Sequence, residues 1–219
     1  MNKVRQVLIG GSLLLIATSM QAAEISGNVT LASDYVYRGV SQTSEEPTIQ
    51  GGFDVTVENG VYAGIWASNI SFDGSVEVDY YIGFSNDILE DWSYDIGLIH
   101  YDYPNQVVAS PDSDFQELYF SLSYQAFTVG IAYSSDFFGE TGSATYAYGE
   151  YDLSLPNDVS LVFHYGSQGI DDAEGYDEYS MSLSKEISGI DFSLSWHDTD
   201  VNSVDDFGSR IVLALSKSL

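Results

Sequence analysis

The chain has 219 residues, no cysteine, and 33 Asp and Glu residues against six Lys and Arg, so its formal net charge is −27 at pH 7. This acidic excess argues against nucleic acid as a partner, because phosphate backbones bind basic surfaces. A disordered acidic chain is also excluded, since 14% of the residues are aromatic and apolar residues recur with a regular period. Without cysteine, no disulfide can brace the fold.

The first segment, residues 1–23, predicts a signal peptide. A basic start is followed by an apolar stretch from Val7 to Ala17, and cleavage is expected after Ala22 or Ala23. This stretch is shorter than the roughly 20 apolar residues that a transmembrane helix needs. We therefore expect export, with residues 24–219 forming one domain.

After the signal segment, apolar and polar side chains alternate in segments of about ten residues. Successive side chains of a strand point to opposite faces, so each segment has one apolar and one polar face. The alternation predicts twelve strands, in residues 25–35, 49–58, 61–70, 76–85, 92–103, 115–124, 127–134, 143–155, 159–166, 177–185, 190–198 and 209–218. This pattern predicts an all-β, antiparallel up-and-down barrel that spans a membrane.

The connections between these strands alternate between long and short. Outer-membrane barrels have long external loops and short periplasmic turns, and an even strand number returns both termini to the periplasm. Aromatic residues at strand ends predict two interfacial girdles, with Tyr35, Tyr133, Tyr165 and Trp196 on the apolar face at the long-loop end. A soluble sandwich would also alternate, but it needs neither feature. We therefore expect a protein of the bacterial outer membrane, with lipid and lipopolysaccharide as its surroundings.

Three motifs in the first third of the chain carry a family resemblance. They are ASDYVYRGVSQT at residues 32–43, PTIQGGFDV at 47–55 and GVYAGIWASNISF at 60–72. These motifs resemble the TorF-like family of porins, proteobacterial outer-membrane proteins whose function is poorly defined. The resemblance implies a barrel and a channel, and it offers no substrate, cofactor or catalytic residue to carry over.

The inward side chains decide what the barrel can do, because twelve strands close at a backbone radius of only roughly 12 Å. Many inward positions are small or hydroxylated. The inward acidic positions are Asp54, Glu58, Glu77, Asp79, Asp95, Glu117, Glu150, Asp152 and Asp191. Because carboxylate rings favour cations, they predict a narrow, cation-preferring diffusion channel for small solutes. The alternative is that carboxylates and hydroxyls close the lumen as a hydrogen-bonded plug.

Basic residues are rare beyond the signal segment, and two of them lie near the predicted seam. The last strand begins with an inward Arg210, which antiparallel pairing places beside Asp34 of the first strand. Since an unpaired guanidinium is costly to desolvate, we expect Arg210 to pair with Asp34 or another inward acid. Arg38 is expected to fold over or into the mouth. In the alternative, both arginines extend into solvent above the rim.

A loop-based binding or adhesion protein is a second function class. The segment 171–178 carries five carboxylates that could supply oxygen ligands to a hard cation: Asp171, Asp172, Glu174, Asp177 and Glu178. The spacing of an EF-hand is absent, and a solvated acidic loop explains the same charges.

An outer-membrane lipid hydrolase is a third class. Such an enzyme needs a Ser/His pair placed by a supporting group. The three histidines, His100, His164 and His197, each fall near a strand end at the long loops, and no catalytic serine motif surrounds them. We interpret them as interface histidines without partners and predict no catalytic residue.

Overall fold

The computed structural model describes residues 23–104, 112–201 and 204–219. Residues 1–22, which carry the predicted signal peptide, lie outside this part, so the cleavage site stays a prediction. Among the described residues, no helix combines the length and the apolar character needed to cross a membrane.

The described residues are almost all in strands or short connections. The strands are β1 (Ala23–Ala32), β2 (Val36–Tyr37), β3 (Val40–Ser41), β4 (Thr48–Val57), β5 (Val61–Asn69), β6 (Val76–Leu89), β7 (Trp92–Asp102), β8 (Phe115–Tyr124), β9 (Phe127–Ser134), β10 (Ala144–Leu155), β11 (Val159–Ile170), β12 (Tyr176–Ile187), β13 (Ile190–Thr199) and β14 (Arg210–Ser218). Two 3₁₀ turns, Asp73–Ser75 and Asp205–Phe207, lie in connections.

Strands β1 and β4–β14 close into an antiparallel barrel in which each strand pairs with its neighbours in the chain. The seam joins β1 to β14, where Thr30 pairs with Ser216 and their hydroxyls hydrogen-bond at 2.7 Å. The prediction of an all-β barrel of twelve strands is therefore confirmed. We call the end where β1 stops and β4 starts the long-loop end, and the opposite end the short-turn end.

The outer face of the barrel is apolar because the outward positions of the period-two pattern are apolar. Its exposed residues include Ile25, Leu31, Phe53, Ile82, Leu118, Phe127, Val129, Ile211 and Leu213. A soluble protein rarely exposes so continuous an apolar surface, whereas a membrane barrel presents such a band to lipid. Tyr133, Tyr165 and Trp196 are exposed on this face.

Two strands are longer than the alternation predicts. β6 continues to Leu89 and β11 to Ile170, past the expected ends at 85 and 166. Half of the added residues are polar, so the regular alternation stops while the backbone ladder continues. A strand that leaves the apolar layer of a membrane no longer needs an apolar face, which explains the difference.

The connection from β1 to β4 contains a hairpin that the sequence analysis treats as loop. β2 pairs with β3, and Arg38 and Gly39 form its two-residue turn, both with positive φ (47° and 80°). Gly suits such a turn, whereas a non-glycine residue there is strained. Tyr35 corrects a second expectation: it is not on the lipid face, because the chain turns inward after β1 and its hydroxyl donates to Glu77 at 2.7 Å.

Candidate pore

The β2–β3 hairpin lies inside the barrel, across the long-loop half of the lumen. At its tip, a Cβ atom on Gly39 would lie 2.7 Å from Cγ2 of Thr199 and 2.8 Å from Cβ of Glu178. Any residue larger than glycine would therefore collide with the barrel wall. The hairpin starts at the β1 side of the barrel and ends against β12 and β13, so it narrows the pore.

Arg38 fixes the tip of the hairpin to the wall. Its guanidinium donates to both carboxylate oxygens of Glu117, at 2.9 and 2.6 Å, and to the side-chain oxygen of Gln168 at 2.8 Å. It also lies over the rings of Tyr37 and Tyr146, 4.7 and 4.1 Å from their centroids. Two-point hydrogen bonding between guanidinium and carboxylate combines strength with fixed geometry. The strained backbone of Arg38 is thus compensated by its side chain.

The base of the hairpin is held by Asp34. The carboxylate accepts hydrogen bonds from Ser41 (2.7 Å) and Thr43 (2.8 Å), and Arg210 of β14 lies 3.4 Å from its other oxygen. Arg210 also donates to the carbonyl oxygens of Gly208 and Asp205. The structure therefore places Arg210 beside Asp34, where the register of the seam predicts it.

Three of the predicted lumen acids are brought together around the hairpin. Glu77, Asp79 and Glu117 are only 2%, 4% and 2% exposed. Glu77 accepts a hydrogen bond from the hydroxyl of Tyr35, and Glu117 pairs with the guanidinium of Arg38. These acids form the wall of a constriction in the long-loop half.

Four other predicted acids line the wider, short-turn half of the lumen. Here a cavity of about 1060 Å³ extends from residues 85–95 to the hairpin, and Asp95 and Glu150 are among the residues that line it. Each of these carboxylates accepts a hydrogen bond from a side chain of the wall: Asp54 from Tyr81, Asp95 from Tyr62, Glu150 from His164 and Asp152 from Ser160. The bonds hold them at the wall and leave the centre to solvent.

Several tyrosine rings of the inner wall lie flat because glycines face them. The pairs are Tyr62 over Gly83, Tyr119 over Gly97, Tyr148 over Gly130 and Tyr146 over Gly166. In each pair, a Cβ on the glycine would collide with the ring. A ring that covers a neighbouring strand glycine protects that strand and does not project into the lumen. Small inward residues alternate with large ones in the sequence, but the pairs themselves form only between neighbouring strands.

His164 is a lumen residue that the sequence analysis misplaced. Its Nδ1 lies 3.0 Å from Glu150 and its Nε2 lies 2.8 Å from Glu178. Tyr146 also contacts Glu178 at 2.5 Å. His197 faces the lumen as well, with Nε2 2.9 Å from Oγ of Ser195. The interpretation as interface histidines without partners is therefore wrong for both.

Three further predicted residues lie near strand ends. Glu58 is exposed in the turn after β4, because that strand ends at Val57. Asp191 is exposed at the start of β13, at the short-turn rim. Glu178 is buried in the lumen, on β12, so it does not join the acids of the neighbouring connection as an exposed cation ligand.

The remaining acids of the predicted loop, Asp171, Asp172, Glu174 and Asp177, lie at or beside the β11–β12 connection. Asp171 accepts a hydrogen bond from Ser143 at 2.7 Å. In the described ranges, no group of three or more His, Cys, Asp or Glu side chains is arranged to hold a metal ion.

The comparisons with solved structures bear on the fold. The KdgM porin superposes with a TM-score of 0.61 at 8% identity over 90% of this chain and 99% of that one. A second KdgM structure, in complex with disordered oligogalacturonate, gives the same values. The NanC porin gives 0.56 at 12% identity over 88% and 98%. The chain thus has the fold of these outer-membrane porins.

A comparison with curated proteins finds no match. Residues 16–217 match Gcw_chp, described as a bacterial protein of unknown function. The resemblance to TorF-like porins stays a prediction, because the matching family has a different name. The match spans nearly the whole sequence, and the chain therefore belongs to the bacterial family Gcw_chp.

Proposed function

We propose that the protein is a narrow channel of the bacterial outer membrane that prefers cations and serves small solutes. The apolar outer face and the alternation of long and short connections support the location. The lumen supports a channel, since its short-turn half holds a cavity of about 1060 Å³ lined by carboxylates, hydroxyls and rings.

The observation that carries the proposal is the charge of this lumen. Its two arginines are already bonded to carboxylates, Arg38 to Glu117 and Arg210 to Asp34. The other two basic residues beyond the signal segment, Lys185 and Lys217, lie at the short-turn ends of their strands. The carboxylates that face the cavity therefore set its potential, which attracts cations and repels anions.

The electrostatic potential at the long-loop end is also negative. A second cavity of about 930 Å³ lies there between the hairpin connection and the β13–β14 connection, and its acidic lining residues are Glu45, Asp198, Asp205 and Asp206. Negative potential at both ends steers cations inward from either side.

The solutes are expected to differ from those of one structural neighbour. KdgM has been crystallised with oligogalacturonate, a polyanion. Recognition of such an anion needs free cationic side chains, and the guanidiniums of Arg38 and Arg210 are committed to carboxylates here. We therefore favour small cations and uncharged solutes over acidic saccharides.

The lipid hydrolase alternative gains no support from the contact between Ser195 and His197. Ser195 and His197 are 2.9 Å apart, yet both point into the lumen and not to the lipid face. A hydrolase of membrane lipid needs its nucleophile where the lipid is.

The test is the reversal potential of the purified protein in a planar bilayer under a KCl gradient. We expect stepwise conductance and the sign of a cation-selective pore, weakening as salt rises because salt screens the carboxylates. Glu150→Gln combined with Asp95→Asn should reduce the selectivity, because both side chains line the cavity, whereas Asp158→Asn, in an exposed turn, should not. Anion selectivity of the unmodified protein, or the absence of any conductance, would contradict the proposal.

A further inference from the structure

One carboxylate of the constriction lacks the partners that its neighbours have. Glu77 accepts hydroxyls from Tyr35, at 2.7 Å, and from Tyr103. Glu117 accepts the guanidinium of Arg38. Asp79 lies between them on the inner wall and is 4% exposed, but its Oδ1 is buried without any hydrogen-bond partner.

Tyrosine hydroxyls lie near Asp79, but they donate their hydrogen bonds to groups other than its Oδ1 atom. Tyr81, two residues further along β6, donates to Asp54, and the hydroxyl of Tyr37 donates to Tyr101. The tyrosines of this region thus bond to other groups. A buried, unpaired carboxylate costs several kcal/mol, and the charges of two neighbouring acids make it costlier.

Neither arginine of the part of the chain that the structure describes is free to offset this cost. Arg38 is held by Glu117 and Gln168, and Arg210 by Asp34 and two backbone carbonyls. The offsetting positive charge must therefore come from outside the chain. Asp79 lines the lumen cavity, so a solute in the pore can reach it.

Aromatic rings flank Asp79 on both sides. Trp66 of β5 and Tyr101 of β7 are its direct partners across the sheet. Tyr35 and Trp66 form an edge-to-face pair with 5.3 Å between centroids, as do Tyr37 and Tyr101 at 5.8 Å, and Phe115 stacks on Tyr101 at 4.2 Å. All four rings line the cavity.

A carboxylate among aromatic rings recognises one kind of cation in particular. Ring faces attract ammonium groups, which also shed water more readily when methylated. A divalent metal ion would instead need six or more oxygen ligands, and the described residues contain no suitable group. The terminal torsion of an aspartate is soft, so Oδ1 can turn toward the cavity without rebuilding the strand.

We infer that Asp79, Trp66 and Tyr101 form a binding site for an organic ammonium cation at the constriction of the pore. The inference rests on the proposed function, because the cation must enter the lumen to reach the site. It names the solute class that the constriction selects. Inorganic cations pass the same acidic lumen with less interaction, because the rings add little for a hydrated ion.

The test is calorimetric titration of the full chain, folded in detergent, with choline chloride at constant ionic strength. We expect saturable binding that Asp79→Asn weakens by at least about tenfold and Trp66→Leu by roughly fivefold. Asp158→Asn removes the same charge from an exposed turn and should bind choline as the unmodified protein does. Heat-dependent mobility in gel electrophoresis checks that each barrel is folded.

Three results would overturn the inference: no choline binding, equal binding by Asp79→Asn, or equal weakening by Asp158→Asn. The first is expected if Asp79 holds a proton instead of an ammonium ion. Because the titration needs no conductance, its result does not depend on the bilayer experiment. A cation-selective channel that fails to bind choline would refute the site and leave the proposed function intact.

Discussion

Arg38 is the residue whose replacement should change the pore most. Replacing it by Met keeps most of the volume of the side chain but removes three hydrogen bonds of 2.6–2.9 Å and two ring contacts. Glu117 then keeps only the hydroxyl of Tyr101, at 3.3 Å, in a position where its side chain is 3% exposed. Breaking a buried ion pair from one side costs about 3–5 kcal/mol, because a charge is left uncompensated.

This cost falls on the docked state of the hairpin, since the contacts of Arg38 are the ones that join its tip to β8 and β11. Each 1.4 kcal/mol changes an equilibrium constant by a factor of ten. The ratio of docked to undocked hairpin should therefore fall by roughly a hundredfold or more. We expect Arg38→Met to raise the single-channel conductance and to add fluctuations between levels.

A matched variant separates the loss of the ion pair from the loss of charge. Arg38→Met combined with Glu117→Leu removes both charges together, and replacing a buried pair by apolar residues is often neutral or stabilising. This double variant should conduct nearly as the unmodified protein does. Because the chain has no cysteine, Val40→Cys in each background reports the hairpin position by its rate of reaction with a thiol reagent. Equal conductance and equal Val40→Cys reactivity in Arg38→Met and the unmodified protein would refute the reasoning.

Three further outcomes are expected. A cysteine at Glu174, in a long connection, should react with an impermeant reagent on intact cells, whereas one at Asp158 should not, and the reverse pattern would invert the topology. Gly130→Ala should push the ring of Tyr148 into the lumen, lower the free energy of unfolding by about 1–3 kcal/mol and reduce conductance; unchanged unfolding and conductance would contradict the flat packing of the ring. Arg210→Leu should destabilise the barrel by about 2–3 kcal/mol, which is less than the effect of Arg38→Met. The reason is that two hydroxyls still donate to the carboxylate of Asp34 after Arg210 is removed. Urea titration of both variants measures which one is less stable.

The alternation of inward and outward side chains along a strand, here called parity, explains which parts of the pore the sequence could predict. Within a strand, every second residue faces inward, so Glu77, Asp79 and Glu117 could be placed on the inner wall from their positions alone. The seam follows from the same rule, because antiparallel closure brings Arg210 close to the end of β1 and thus to Asp34. The partners of these acids could not be predicted, since they come from strands far apart in the chain.

Parity no longer predicts the direction of a side chain beyond the end of a strand. The wrongly placed residues lie at such ends. Tyr35 has outward parity, yet it lies inside because β1 stops at Ala32 and the chain turns inward. Glu58 has inward parity, yet it lies in a turn. Glu178 counts as a candidate loop ligand by its acidic neighbours, yet it is buried on β12. Strand ends depend on backbone pairing with a neighbour, which side-chain polarity does not report.

The sequence by itself determines the barrel, because period-two alternation is a local property, and the alternation of long and short connections with aromatic strand ends distinguishes a membrane barrel from a soluble sandwich. It also determines the acidic character of the lumen, since charge and parity are both read along the chain. Only the tertiary structure decides that a hairpin enters the pore, that Arg38 neutralises Glu117, and that Asp79 is left unpaired among aromatic rings. These features depend on contacts across the lumen, between residues whose distance in the sequence carries no signal of their proximity.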